Sequence, residues 1–208
     1  MREPPVNSSS SWLARPLGTR SRWLLLVLIV PLALSVLAPI WQMRFVAPQY
    51  PAGLELVIFP YTVSGDVQEV NTLNHYIGMA KIDRAALSDL AFLPFALGAF
   101  VLLLLRVVAL GDVRSLLDLL ALYAYFGVFA FARFAYTLYV FGHNLDPKAP
   151  FRIEAFTPTV FGTGTVANFT ITSLPARGSF YLAAVGAALV AVLLTNLRER
   201  RASGASAG

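Results

Sequence analysis

The chain has two histidines, His75 and His143, and no cysteine. Without cysteine there are no disulfides, thiolate metal sites or cysteine nucleophiles, so histidine chemistry must use one or both imidazoles. His75 and Met79 stand four residues apart, and a helix through 71–79 would put both on one face. An imidazole and a thioether together suit Cu(I). Met43 offers a second thioether, while Asn74, Asn144 and Asp146 stand close enough in sequence to orient the rings. The spacing therefore nominates His75, Met79 and His143 as a metal site, with copper the candidate ion. The competing reading is that both histidines make structural hydrogen bonds and Met79 packs, because no repeated ligand motif surrounds them. No catalytic constellation is present. Neither histidine stands near a Ser–acid pair, and there is no P-loop. Gly162-Thr163-Gly164 resembles a dinucleotide fingerprint but lacks the strand–helix context and the following acidic residue.

The elements that must hold these residues are set by composition. Hydrophobic residues make up 57% of the 208, and charged ones 13%, about half the usual charged share of ~25%. The apolar residues fall in long blocks, so the net charge of +5 and pI near 9.8 do not indicate a nucleic-acid partner. The partner of first rank is the lipid bilayer. Four blocks reach the ~20 residues a membrane helix requires: 23–41, 89–110, 116–141 and 179–197. The first contains Pro31 and Pro39 and follows Arg15, Arg20 and Arg22. It is long for a signal peptide, and Pro39 disfavours cleavage after Ala38, so it is expected to stay as an anchor. The fold class is a membrane α-helical bundle of four spans with a small mixed β/α extracytoplasmic cap.

Basic residues orient the spans. With both termini inside, the cytoplasmic side has nine basic and four acidic residues, and the outer side has seven of each. The whole excess charge is then an orientation signal. The cytoplasmic tails are 1–22 and 198–208; the first, and residues 202–208 of the second, are rich in Ser, Pro and Gly and are expected to be disordered. A short turn near Asp112 joins spans two and three. Residues at equal depth on these spans have numbers summing to about 224, which predicts structural ion pairs Arg106–Asp118 and Asp89–Arg133. The functional alternative has Arg133 lining a proton or anion path with Tyr136 and Tyr139. The aromatics of span three are read as packing and interface anchoring, and no span holds a histidine for haem.

Two outer loops carry the remaining material. In 42–88, residues 54–59 and 61–63 have strand composition, Ser64-Gly65-Asp66 reads as a turn before a strand at 67–70, and 71–79 reads as a short helix capped by Asn71. Loop 142–178 reads as turns and short strands. The strings APQYPAGLEL, LNHYIGM and HNLDPKAPF resemble a family of uncharacterised bacterial inner-membrane proteins encoded near genes for nitrous oxide reductase and its copper-site maturation. That resemblance, over roughly residues 41–185, implies a non-enzymatic accessory role in copper handling or assembly of a periplasmic denitrification metalloenzyme. It transfers His75 and Met79 only as members of the motif. The alternatives from a different class are a structural subunit of a respiratory membrane complex and, further off, a component of a small-solute transporter.

Overall fold

The structure, a computed structural model, describes residues 13–83, 88–166 and 168–205. Four helical segments are long and apolar enough to cross a membrane: Thr19–Leu37, Leu90–Leu110, Val113–His143 and Arg177–Arg198. The first is α1 (Thr19–Val27) followed by α2 (Ile29–Leu37), interrupted only at Leu28. The irregularity sits where Pro31 cannot donate to the carbonyl of Val27. The span stops at Leu37, short of the expected Trp41, because Ala38 precedes Pro39. A residue before proline is pushed out of the α region, and Ala38 is extended at φ −96°, ψ 148°.

Trp41 opens a strand instead. β1 (Trp41–Ala47), β2 (Tyr50–Phe59) and β3 (Thr62–Gly65) form an antiparallel meander, with Trp41 opposite Ile58 and Phe45 opposite Leu54. After α3 (Val67–Ile77), a 3-10 turn at Ser88–Phe92 leads into α4 (Leu93–Leu110) and α5 (Val113–His143). β4 (Gly162–Val166) and β5 (Phe169–Pro175) then join the sheet, and α6 (Arg177–Ala205) closes the chain. The strand order is β3-β2-β1-β5-β4. β1 is therefore central, although Trp-Gln-Met-Arg-Phe reads from sequence as the end of a span. Its alternation is the strand signal: Met43 is buried while Gln42 and Arg44 are exposed.

Residues 67–70 are helical rather than extended. Val67, Val70, Leu73, Asn74 and Ile77 recur at the helical period, and Val70 and Asn74 are buried. Asn71 does not cap this helix. Its amide clamps the returning chain, donating to the Ile82 carbonyl (3.2 Å) and accepting from the Ile82 N–H (2.7 Å).

At the termini side, residues from 13 on are ordered against the α4–α5 turn. Leu17 N–H donates to Gly111 O (2.6 Å) and Val113 N–H to Arg15 O (3.1 Å). α6 likewise continues as helix through Ala205 into the expected tail. The turn itself is only Gly111 and Asp112. Gly111 takes a left-handed φ of 65° to end α4, and Asp112 starts α5 by accepting from Ser115 N–H (2.7 Å). Two apolar clusters result. One, with Leu25, Leu32, Leu104, Leu116 and Leu189, fills the bundle on the termini side. The other, with Met43, Leu54, Leu56, Val70 and Ile171, lies beneath the sheet.

The Asp112 carboxyl is held below the usual aspartate range, chiefly by the Ser115 backbone N–H. A lowered folded-state pKa stabilises the protein above the ordinary value of about 3.9, and the benefit is lost as pH falls through the lowered one. Asp112→Ala is expected to cost about 1 kcal/mol at neutral pH. In detergent unfolding followed against pH, the gap between wild type and variant should close only in acid.

Candidate functional site

The residues nominated as a metal site have different surroundings. α3 ends at Ile77 because Gly78 adopts φ 79°, and Met79 lies past the helix with its N–H bonded to the Asn74 carbonyl (2.8 Å). His75 and Met79 therefore do not share the helical face expected from their spacing. His75 is exposed, its ring tilted against Tyr76 at 6.2 Å. Met79 instead lines an internal cavity. His143, the last residue of α5, is also exposed. It stacks on Tyr139 with centroids 3.8 Å apart, Nδ1 lying 3.0 Å from the Tyr139 carbonyl. Met43 is buried in the cap core. Asn74 donates to the Ala80 carbonyl, and the Asp146 carboxylate accepts from Lys148 N–H. Among the described residues, no three His, Asp or Glu side chains gather in a group that could hold a metal ion.

The segment around His75 has a clear structural task. Tyr76 O accepts from Phe151 N–H (2.9 Å), Gly78 O accepts from Asp146 N–H (2.8 Å), and the Tyr76 and Phe151 rings meet at 6.2 Å. These contacts join the two loops into one cap. Glycine at 78 is required twice over: its φ is left-handed, and a Cβ there would lie 2.8 Å from Asp146 O and 2.9 Å from Ala149 Cβ.

The expected ion pairs fare unequally. Arg106 and Asp118 are both exposed, and no ion pair joins them. Equal depth was the right criterion for level but not for direction. α4 turns Leu104 and Val107 inward, and α5 turns Leu116 and Leu119 inward, which leaves both charged residues off the shared face. The Asp89 side chain lies outside the described residues. Arg133 holds its guanidinium 5.5 Å above the Tyr136 ring, and its interactions do not end there.

The feature that sequence reasoning missed is a cavity of about 1140 Å³ between the two apolar clusters. It exceeds the usual ~300–1,000 Å³ of a small-molecule pocket. Its ceiling is the inner sheet face with α3, including Met43, Leu56, Ile171 and Val70, and its walls come from α4, α5 and α6. The reason lies in α5. Val113, Leu116, Leu119 and Gly142 are buried, but none of the residues between Leu119 and Gly142 is. Tyr123 ties α5 to the bundle, with its hydroxyl on Leu182 O (2.8 Å) and its ring against Phe100 at 5.1 Å. Trp41 ties it to the cap through Phe134, at 5.1 Å. Between these two ties Phe126 also meets Phe100, at 5.2 Å, and the small Gly127 and Ala130 leave the cavity beside the helix. The cavity also opens sideways, since the lining residues Val128, Phe129 and Phe131 are exposed by 72%, 55% and 48%.

The neutral polar side chains of the lining all donate hydrogen bonds to protein oxygens: Trp41 to Ser173, Asn74 to Ala80, Tyr123 to Leu182, Thr137 to Arg133 and Ser179 to Ile40. Among the described residues, the rest of the lining is apolar apart from Arg133. The dense aromatics of span three were the available signal, and they were read as packing because sequence does not show that their partners are missing. Comparison with protein families, characterised proteins and solved structures returns no match.

Gly78→Val should loosen the junction of the two loops, costing at least the ~1–2 kcal/mol of a left-handed non-glycine residue. His75→Ala, at an exposed position, should stay within about 0.5 kcal/mol of wild type. Thermal unfolding in detergent, with protease sensitivity of the 144–161 segment, distinguishes the two outcomes.

Proposed function

We propose that this chain is a non-enzymatic membrane protein that holds the hydrocarbon part of an amphiphile between its helices and its cap. The cap faces the extracytoplasmic side of a bacterial inner membrane. One observation carries this reading: the apolar cavity runs from the helices to the underside of the sheet. Arg133 lies twenty positions after Val113 on α5, about 30 Å at 1.5 Å per residue, which is the thickness of a hydrocarbon core. Thr137, Leu138 and Phe141 lie above that level and still line the cavity, as do Met43 and Ile171 of the sheet. An amphiphile chain held there would cover the apolar underside of the sheet as well as the helices.

The lining chemistry points the same way, since apolar side chains make up nearly all of it. Hydrocarbon is the filling that the lining chemistry accepts. The copper role implied by the sequence resemblance draws no support from His75, Met79 and His143, whose side chains meet different surroundings.

Gly127 supplies the test. It lines the cavity, and a Cβ built on it has no neighbour within 4 Å. Gly127→Phe therefore fills the space from a helical position where glycine is itself unfavourable by about 1 kcal/mol. The variant should fold as well as wild type and retain less than half as much lipid after exhaustive detergent exchange, measured by native mass spectrometry. Equal lipid retention by the two proteins would defeat the reading.

A further inference from the structure

We infer that the termini end of the bundle is a basic ring that binds the head groups of anionic phospholipids, separately from the cavity. Arg15, Arg20, Arg106, Arg114 and Arg198 form it, and all are exposed. Each stands within about one helical turn of the same end of a segment able to cross a membrane. Arg15 precedes Thr19–Leu37 and Arg20 is its second residue. Arg106 lies near the end of Leu90–Leu110, Arg114 is the second residue of Val113–His143, and Arg198 is the last of Arg177–Arg198. In a bilayer, the ends of such segments lie beside the lipid head groups.

Hydrogen bonds between distant parts of the chain assemble the ring. Val113 N–H donates to Arg15 O (3.1 Å) and Arg114 N–H to Leu13 O (3.0 Å), which sets Arg15 and Arg114 on neighbouring strands of chain. Asn196 Nδ2 donates to Ser21 Oγ (3.1 Å), which brings the end of α6, with Arg198, to the start of α1, with Arg20. Among the described residues, none of the five guanidiniums makes an ion pair or a side-chain hydrogen bond. Asp112 and Asp118 are the acidic side chains described at this end. The Asp112 carboxylate feels Arg114 but accepts from the N–H and hydroxyl of Ser115, and Asp118 is exposed. The positive charge here is therefore in excess, and its complement is a surface of anionic heads. A guanidinium is weakly hydrated and forks onto two phosphate oxygens. A zwitterionic head meets its own phosphate with an ammonium and offers less to the ring.

The test offers full-length protein in detergent equal amounts of phosphatidylglycerol and phosphatidylcholine with the same chains, and counts the lipids retained by native mass spectrometry. Wild type should favour phosphatidylglycerol by at least about fivefold, the scale of one arginine near a charged surface. Arg15→Gln combined with Arg114→Gln should reduce that preference several-fold, and so should Arg20→Gln combined with Arg198→Gln. Lys148→Gln combined with Arg152→Gln removes the same charge from exposed positions on the cap and should leave the preference unchanged. Gly127→Phe, which fills the cavity, should also leave it unchanged. Equal retention of the two lipids by wild type overturns the inference, as does a preference that survives in both ring variants. A loss in the cap variant or in Gly127→Phe as large as in the ring variants overturns it as well, by placing the preference elsewhere.

Discussion

Two of the spans continue directly into the two central strands of the cap. α2 reaches β1 across Ala38, Pro39 and Ile40, and β5 reaches α6 across Ala176 alone. The junctions are also bonded to each other: Ala176 N–H to Ile40 O (3.0 Å), Gly178 N–H to Pro39 O (2.7 Å) and Ser179 Oγ to Ile40 O (2.5 Å). Because β1 and β5 pair along their length, α2 and α6 must lie side by side below them. The cap is thereby fixed to half of the bundle, and its inner face is held above the other half without a separate linker.

That constraint explains where the space comes from. α4 and α5 are not continuous with the sheet. α5 is a helix of 31 residues, some 46 Å at 1.5 Å per residue, and so rises well past a ~30 Å hydrocarbon core to meet the cap. It meets the bundle through Tyr123 and Phe126, whose rings lie 5.1 and 5.2 Å from Phe100, and the cap through Phe134 on Trp41. No residue between Leu119 and Gly142 is buried, and the cavity lies along this stretch.

Much of this was legible in the sequence. The four spans were found within a few residues at most ends, since long apolar blocks need no tertiary information to be recognised. The β2–β3 hairpin followed from its strand composition and its turn. Errors gathered where one local rule competed with another. Trp41 was assigned to a span by its hydrophobicity although Pro39 had already ended the helix, and Val67–Val70 were assigned to a strand by their β-branched content although their spacing was helical. The Arg106–Asp118 pairing failed because sequence gives depth along a helix but not which way the helix is turned.

The sequence by itself determined four segments long and apolar enough to cross a membrane, where a helix satisfies its backbone polar groups within the segment. It also determined which segments form the cap, through alternation, turns and glycines with forced geometry. Tertiary structure decided the site. Whether Phe134 packs and whether Met79 faces His75 or a cavity depend on how far α3 and α5 lie from neighbours distant in the chain. Those separations are set by the strand–helix junctions, and no local pattern encodes them.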